Sequence, residues 1–355
     1  RGADAARLPR DGRAGILPLV TAAIDIHFHA VPRRLADALR RHEFDEAVEV
    51  VVSADGERLD FHAPPGVVVE PGIRLKESQY DARQILQAMD QRKLDAAAVS
   101  LPPELFLNWT SPELGERLAR TINDGFAEMA RAYPDRFLPL AALPIQDGAR
   151  AARELERAVH ELGLKGAAIC THVNGRDLDD PGVAPVLAMA DRLDVPLFLH
   201  PQNAGDIGRI KNYHLWNVIG FPLETVTAVS RLIASGAFER FPNLKIVLAH
   251  GGGFFPYQIG RLDHGYRVHP AAFKGLPKPP SAYLSNIYCD SLTHSDLSLR
   301  FLVERMGADH VVLGTDYPFS MRNDAPVDAV TELGLPAAQE KAVLGGTLAK
   351  LLKLP

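Results

Sequence analysis

The chain has 355 residues, with 39 lysines and arginines against 44 aspartates and glutamates, for a formal net charge of −5. Its 46% hydrophobic and 23% charged residues are those of a globular protein, which excludes disorder or collagen-like repeats as whole-chain readings, and the mild acidity argues against a nucleic-acid-binding surface. The length suits two domains at about 150 residues each or one α/β barrel, a fold of about 200 to over 400 residues.

Residues 1–23 carry a short apolar stretch, Ala14-Gly15-Ile16-Leu17, followed by Pro18. It is too short and broken for a secretory core, so 1–23 reads as an N-terminal tail or arm. Eight short apolar runs bounded by turn residues then follow: Ile24–His29, Ala96–Leu101, Phe137–Leu143, Ala167–Val173, Pro196–His200, Lys245–His250, Ile287–Leu292 and Val311–Thr315. Their near-continuous apolarity suits parallel strands buried on both faces. Between them, Asp81–Lys93, Ala149–Leu162, Val183–Leu193, Leu223–Phe238 and Leu297–Met306 show helical periodicity.

Strand and helix alternating eight times predicts a distorted (β/α)8 TIM barrel over residues 24–355. An open doubly wound sheet would want a glycine-rich phosphate turn after its first strand. The residues there are Ala30-Val31-Pro32-Arg33. The stretch from Val31 to about Tyr80 is too long for a simple loop. Val48–Val52 and Arg58–Phe61 flank Ala54-Asp55-Gly56 in it, a hairpin signature. A small cap inserted after strand 1, at about 33–80, is therefore expected.

No apolar run reaches the roughly 18–20 residues of a membrane helix. The two cysteines, Cys170 and Cys289, lie in apolar runs and read as buried thiols. So few cannot form a disulfide scaffold, which suggests a reducing, cytoplasmic setting.

Barrel enzymes place their sites where the strands end. The first strand ends in His27-Phe28-His29, and alternation puts both imidazoles on one face. The fifth ends at His200, the sixth at His250 before Gly251-Gly252-Gly253, and the eighth at Asp316. Three imidazoles and one carboxylate converging on a point suit a divalent metal. Any of these residues alone reads as a satisfied core or capping residue. Together at the mouth, without a metal, they would be costly to bury.

His27-Phe28-His29, Leu199-His200-Pro201, Ala249-His250-Gly251-Gly252-Gly253 and Gly314-Thr315-Asp316-Tyr317-Pro318-Phe319 resemble the amidohydrolase superfamily. Within it they resemble the metal-dependent decarboxylases typified by aminocarboxymuconate-semialdehyde decarboxylase. Leu143-Pro144-Ile145-Gln146, Thr171-His172-Val173-Asn174 and Gly260-Arg261-Leu262-Asp263-His264-Gly265 agree, and the likeness spans about Ile24 to Leu354. It implies that His27, His29, His200 and Asp316 ligate one Zn2+, with Mn2+ or another divalent ion as the alternative. It also implies that His250 is the catalytic acid/base, with Asp316 sharing in proton transfer, and that the protein is a homodimer. Dinuclear relatives use a lysine at the end of the fourth strand. Lys165 lies at that strand's entrance, which favours a single ion.

The pocket departs from the resemblance. Ile73 stands where the decarboxylase has a carboxylate-binding arginine, with Arg74 next to it. His269 stands at the second such position, with Arg267 two residues before. A pocket tryptophan falls at Asn217, beside Trp216. Arg74, Trp216, Asn217, Arg267 and Phe319 are the candidate substrate-binding residues, and the substrate is expected to differ.

Zinc lowers the pKa of bound water toward about 7, and a histidine suits proton transfer near neutral pH. The expected activity is decarboxylation of an aromatic or unsaturated carboxylic acid, using a metal-bound water and His250. Hydrolysis of an amide, lactone or activated carbonyl is the alternative on the same site. A non-catalytic binding protein that kept the fold is the third, disfavoured because no ligand and no His250 has been lost. The partner is a small-molecule carboxylate, with no nucleic acid or membrane.

Overall fold

Seven of the expected strands form parallel ladders around a common axis. The computed structural model describes residues 22–54, 56–65, 73–202, 208–273 and 275–355. The first strand (Ile24–His29) pairs with the second (Ala96–Ser100). The fourth (Ala167–Cys170), fifth (Pro196–His200), sixth (Lys245–Leu248), seventh (Ile287–Asp290) and eighth (Val311–Val312) follow in one parallel sheet.

Backbone hydrogen bonds supply the missing seams. Leu138 and Leu140 N–H donate to Ala97 and Val99 carbonyls, and Ala141 N–H donates to Gly166, so segment 137–141 stands as the third strand. Ile26 N–H donates to Leu313 O, Asp316 N–H to His27 O and His29 N–H to Tyr317 O, which closes the eighth strand on the first. The ring is thus a closed (β/α)8 barrel.

Its interior holds a separate apolar cluster that includes Ile24, Ile26, Ala98, Leu140, Ala168, Phe198, Val247 and Val312. The pairing of the first two strands slips between Asp25 and Phe28. That irregularity lets Ile26 join the apolar plug while His27 and His29 face inward above it, a common use of a bulge beside a site.

The expected helices are present at Ala82–Gln91, Gly148–His160, Ala184–Leu193 and Asp296–Met306. The run Leu223–Phe238 is interrupted: the helix Phe221–Ala234 stops before Gly236, whose φ of 72° starts a new short turn at Ala237–Arg240. A 21-residue helix at Pro112–Ala132, not anticipated above, follows the second strand and is capped by Ser111. No helix among the described residues is long and apolar enough to cross a membrane.

The insertion contains an unanticipated helix, Arg33–Arg40, and the expected hairpin, Val48–Ser53 with Gly56–Phe61. The register runs from Val48 opposite Phe61 to Ser53 opposite Gly56, with Asp55 of the expected turn outside the described residues. Arg40 joins helix to hairpin through Glu57 at 2.8 and 2.7 Å. Of the expected tail, Ala22 and Ala23 are buried and residues 1–21 lie outside the described residues.

Candidate metal centre

The strand ends bring His27, His29, His200 and Asp316 together, all of them buried. The His27 ring lies 5.1 Å from that of His29 and 4.9 Å from that of His200. One potential ligand atom from each of the four residues lies within 4.8 Å of the others. Nε2 of all three histidines and Oδ1 of Asp316 have no hydrogen-bond partner. His27 Nε2 is 3.1 Å and His29 Nε2 3.4 Å from that oxygen. Ligands about 2.0–2.2 Å from a tetrahedral ion would be about 3.4 Å apart. Orphaned buried polar atoms are costly, so this donor set fits one divalent ion.

The outward nitrogens explain why Nε2 points in. His27 Nδ1 meets Asp290 Oδ2 at 2.6 Å, His29 Nδ1 meets Leu101 O at 3.2 Å and His200 Nδ1 meets Pro201 O at 2.6 Å. Each partner is an acceptor, so Nδ1 carries the proton and Nε2 keeps its lone pair for a metal. Burial holds His29 and His200 below the usual histidine range, and neighbouring imidazoles lower His200 further. Burial opposes charge on His27, but Asp316 and Asp290 outweigh it and push it up to about 10 in the metal-free cluster, where a proton takes the place that a bound cation would fill. Burial would also raise Asp316, yet the surrounding histidines hold its carboxyl well below the usual range.

His250 stands at the rim. Its ring centroid is 5.0 Å from those of His27 and His200, and its Nε2 is 3.8 Å from Asp316 Oδ2. At 18% side-chain exposure it is the most open member of the group. It has φ 56° and begins a tight turn whose three glycines also have positive φ. A Cβ at Gly252 would come 2.6 Å from Cys289 Sγ, and one at Gly253 2.5 Å from Pro222 O. The glycines therefore let the turn fold closely against its neighbours and aim His250 at the cluster.

Two buried carboxylates went unnoticed in the sequence. Asp290, at the end of the seventh strand, touches both His27 and the His250 turn. Asp25 accepts from Thr315 Oγ1 at 2.5 Å and from His27 N–H at 2.7 Å, tying the first strand to the eighth. Burial pushes Asp25 up to about 6, against these hydrogen bonds. The available signal was a carboxylate inside or ending an apolar barrel strand.

The candidate substrate residues divide. Phe319 packs edge-on against His29, with ring centroids 5.2 Å apart. Phe221 stacks over His250 at 6.2 Å, and Trp216 packs on Phe221 at 5.4 Å. Asn217 lines a cavity of about 570 Å³ beside His250, together with Phe221, His294, Phe301 and Met321. Arg74 is exposed and bridges Arg58 on the cap hairpin, while Arg267 is exposed and lies 3.4 Å from His264 Nδ1. Neither arginine lines this cavity, and no lysine or arginine among the described residues does.

The amidohydrolase family model matches residues 24–354. The chain belongs to the amidohydrolase family. This amidohydrolase is 32% identical over 339 residues to 2-amino-3-carboxymuconate-6-semialdehyde decarboxylase of Dictyostelium discoideum, covering 93% of this chain and 91% of that one. It superposes on 5-carboxyvanillate decarboxylase of Sphingomonas paucimobilis with a TM-score of 0.78 at 30% identity, covering 94% and 100% of the two chains. The 5-carboxyvanillate decarboxylase of Novosphingobium aromaticivorans matches with a TM-score of 0.81 at 27% identity over 95% and 98% of the chains. That structure holds manganese and 3-methoxy-4-hydroxy-5-nitrobenzoic acid. This chain is thus an enzyme of a family whose relatives include metal-dependent decarboxylases.

Proposed function

We propose that this amidohydrolase decarboxylates an aromatic carboxylic acid at one divalent ion held by His27, His29, His200 and Asp316. The observation that carries the reading is the cluster of four unpartnered, buried ligand atoms with His250 beside it, which also lines a largely apolar cavity. The decarboxylases among its relatives choose the reaction. When bound, the ion supplies a Lewis acid for the substrate carboxylate or a neighbouring oxygen.

His250 is the acid. It donates its proton to the ring carbon that bears the carboxyl group. The carbon–carbon bond then breaks, its electron pair returns to the ring, and carbon dioxide leaves. Asp316 Oδ2, 3.8 Å from His250 Nε2, holds that imidazole toward the reacting carbon. Phe221 flanks the ring, Phe319 packs on the ligand His29 from outside the cavity lining, and the apolar lining limits water. Because no cation lines the described part of the cavity, Asn217 and His294 meet neutral polar substituents, and Arg74 and Arg267 are set aside as carboxylate clamps.

Zinc remains the proposed ion, since three imidazoles and one carboxylate suit it, and the manganese of the relative is its competitor. Residues 33–80 are read as the cap: Phe61 of the hairpin meets Trp109, in the loop after the second strand, at 6.3 Å. A homodimer is supported by exposed apolar residues that lie outside the cavity lining on neighbouring helices, among them Ile219, Leu223, Phe254 and Val268. Two buried, unpaired cysteines support a cytoplasmic setting.

The test is a screen of aromatic acids for carbon dioxide release, run beside ester, lactone and amide panels. Release without incorporation of water is expected. Products that gain water with no release of carbon dioxide would replace the lyase reading with hydrolysis.

A further inference from the structure

Asp290 is wholly buried and is surrounded by donors. Its Oδ2 takes His27 Nδ1 at 2.6 Å and the His250 N–H at 2.9 Å. Its Oδ1 takes the Gly251 N–H at 2.6 Å and the Leu292 N–H at 3.1 Å. We propose that Asp290 is the positioning residue that sets a metal ligand and the acid/base histidine with one carboxylate, fixing the tautomer and aim of His27 while pinning the turn that presents His250.

The hydrogen-bond inventory makes the group specific. Three of the four partners are backbone N–H groups, which can only donate, so the site calls for an ionised carboxylate, which only accepts. With Asp290 accepting, His27 must carry its proton on Nδ1, and Nε2 is left free to ligate. An asparagine would place an NH2 group against donors whichever way it turned. Facing His27, it would reward a proton on Nε2 and block ligation there. Facing Gly251 and Leu292, it would release the turn.

Geometry around the pair leaves little slack. Gly314 lets the eighth strand pass close to it, because a Cβ there would come 2.8 Å from Asp290 Cβ and 3.1 Å from His27 Cβ. A Cβ on Gly251 would come 2.8 Å from Thr293 Cγ2. Asp290, His27 and the His250 turn are thus held as one unit, so an error in one is transmitted to the others.

The proposal rests on the metal reading of the cluster and is independent of the reaction performed there. The experiment compares wild type, Asp290→Asn and Phe126→Ala. The last variant carries a large cavity in a helix that makes no ring contact with the site. Zn2+ affinity is measured by competition with a chelator, and amide hydrogen exchange is followed at His250 and Gly251. Asp290→Asn is expected to lose about 10–100-fold in Zn2+ affinity, the usual cost of removing a ligand's outer partner, with faster exchange at both amides. Phe126→Ala is expected to melt earlier with unchanged affinity. Wild type that binds no Zn2+ overturns the metal reading itself. Wild type that binds, with Asp290→Asn within about twofold of it or with unaltered exchange, overturns the positioning role. If Asp290→Asn does not fold, a crystal structure of the Zn2+-loaded wild type decides. Zinc on His27 Nε2, with Asp290 still joined to Nδ1 and to the turn, supports the proposal; zinc on Nδ1, or Asp290 turned away, refutes it.

Discussion

Phe198→Ala tests whether the apolar plug of the barrel also holds the metal centre. Phe198 is fully buried in the fifth strand, and its ring lies 5.0 Å from that of His27 and 6.1 Å from that of His200. Truncation removes the floor beneath two ligands and opens a cavity among Ala168, Val247 and their neighbours. Phe→Ala in a core costs about 3–5 kcal/mol. At about 2.1 cal/mol/K per residue, a chain of 355 residues has an unfolding entropy of about 0.75 kcal/mol/K. The melting temperature should therefore fall by about 4–7 °C, read by calorimetry on the metal-free protein. Freed from edge-on packing, His27 and His200 gain rotational freedom, and Zn2+ affinity should drop about tenfold, near the lower end for losing a ligand's support. Phe126→Ala, in an equally buried ring away from the cluster, should lose similar stability and keep its affinity. Equal affinity in both variants would refute the idea that the plug orients the ligands.

His250→Ala should lower kcat by about a hundred- to ten-thousand-fold, the range for a lost general acid, while metal analysis still finds about one ion per chain. Asp316→Ala should lose both the ion and turnover, because it removes a ligand and the partner of His250 together. Prolonged dialysis against a chelator should abolish activity; zinc or manganese should restore it, and activity that survives metal removal would sink the site. Burial pushes the Cys170 thiol up to about 12 and Cys289 well above its usual value. The thiolate form is present only above those pKa values, so at pH 8 the thiolate fraction of Cys170 is roughly one in ten thousand. A disulfide reagent should therefore label neither cysteine in the native protein and both in denaturant.

The barrel was legible because a strand covered on both faces must be apolar along its length, and eight such runs recur with helices between them. The third run is the instructive one. Pro139 lacks an N–H, so segment 137–141 has one donor fewer toward the fourth strand, where Ala141 N–H donates to Gly166 O and Pro139 O accepts from Lys165 N–H, although the apolar run itself is plain. The helix Arg33–Arg40 was hidden by its arginines: Leu35, Ala36, Ala38 and Leu39 form its buried side, but eight residues that include three arginines carry only a short periodic signal. The four ligand residues were legible from position, because strand ends face the mouth. Asp290 was not. A carboxylate following Ile287-Tyr288-Cys289 has the same local context whether it caps a turn or supports a ligand, and only the closed ring brings it to His27, 263 positions away.

The same ring explains why the chemistry sits at one end. Toward the strand entrances, exposed charges find direct partners: Asp194 pairs with Lys245 and Lys353, contacts of the kind worth at most about 1 kcal/mol. At the opposite end, Nε2 of His27, His29 and His200 and Oδ1 of Asp316 face one another without protein partners. His27, His29, His200, His250 and Asp316 each contribute one buried side-chain atom that lacks a hydrogen bond, five such atoms gathered in one cluster. Folding alone would favour apolar replacements there, since unpaired buried polar groups cost about 1–3 kcal/mol each. A divalent ion offsets that cost for the four ligand atoms. It leaves His250 Nδ1 as the unsatisfied polar atom of the group.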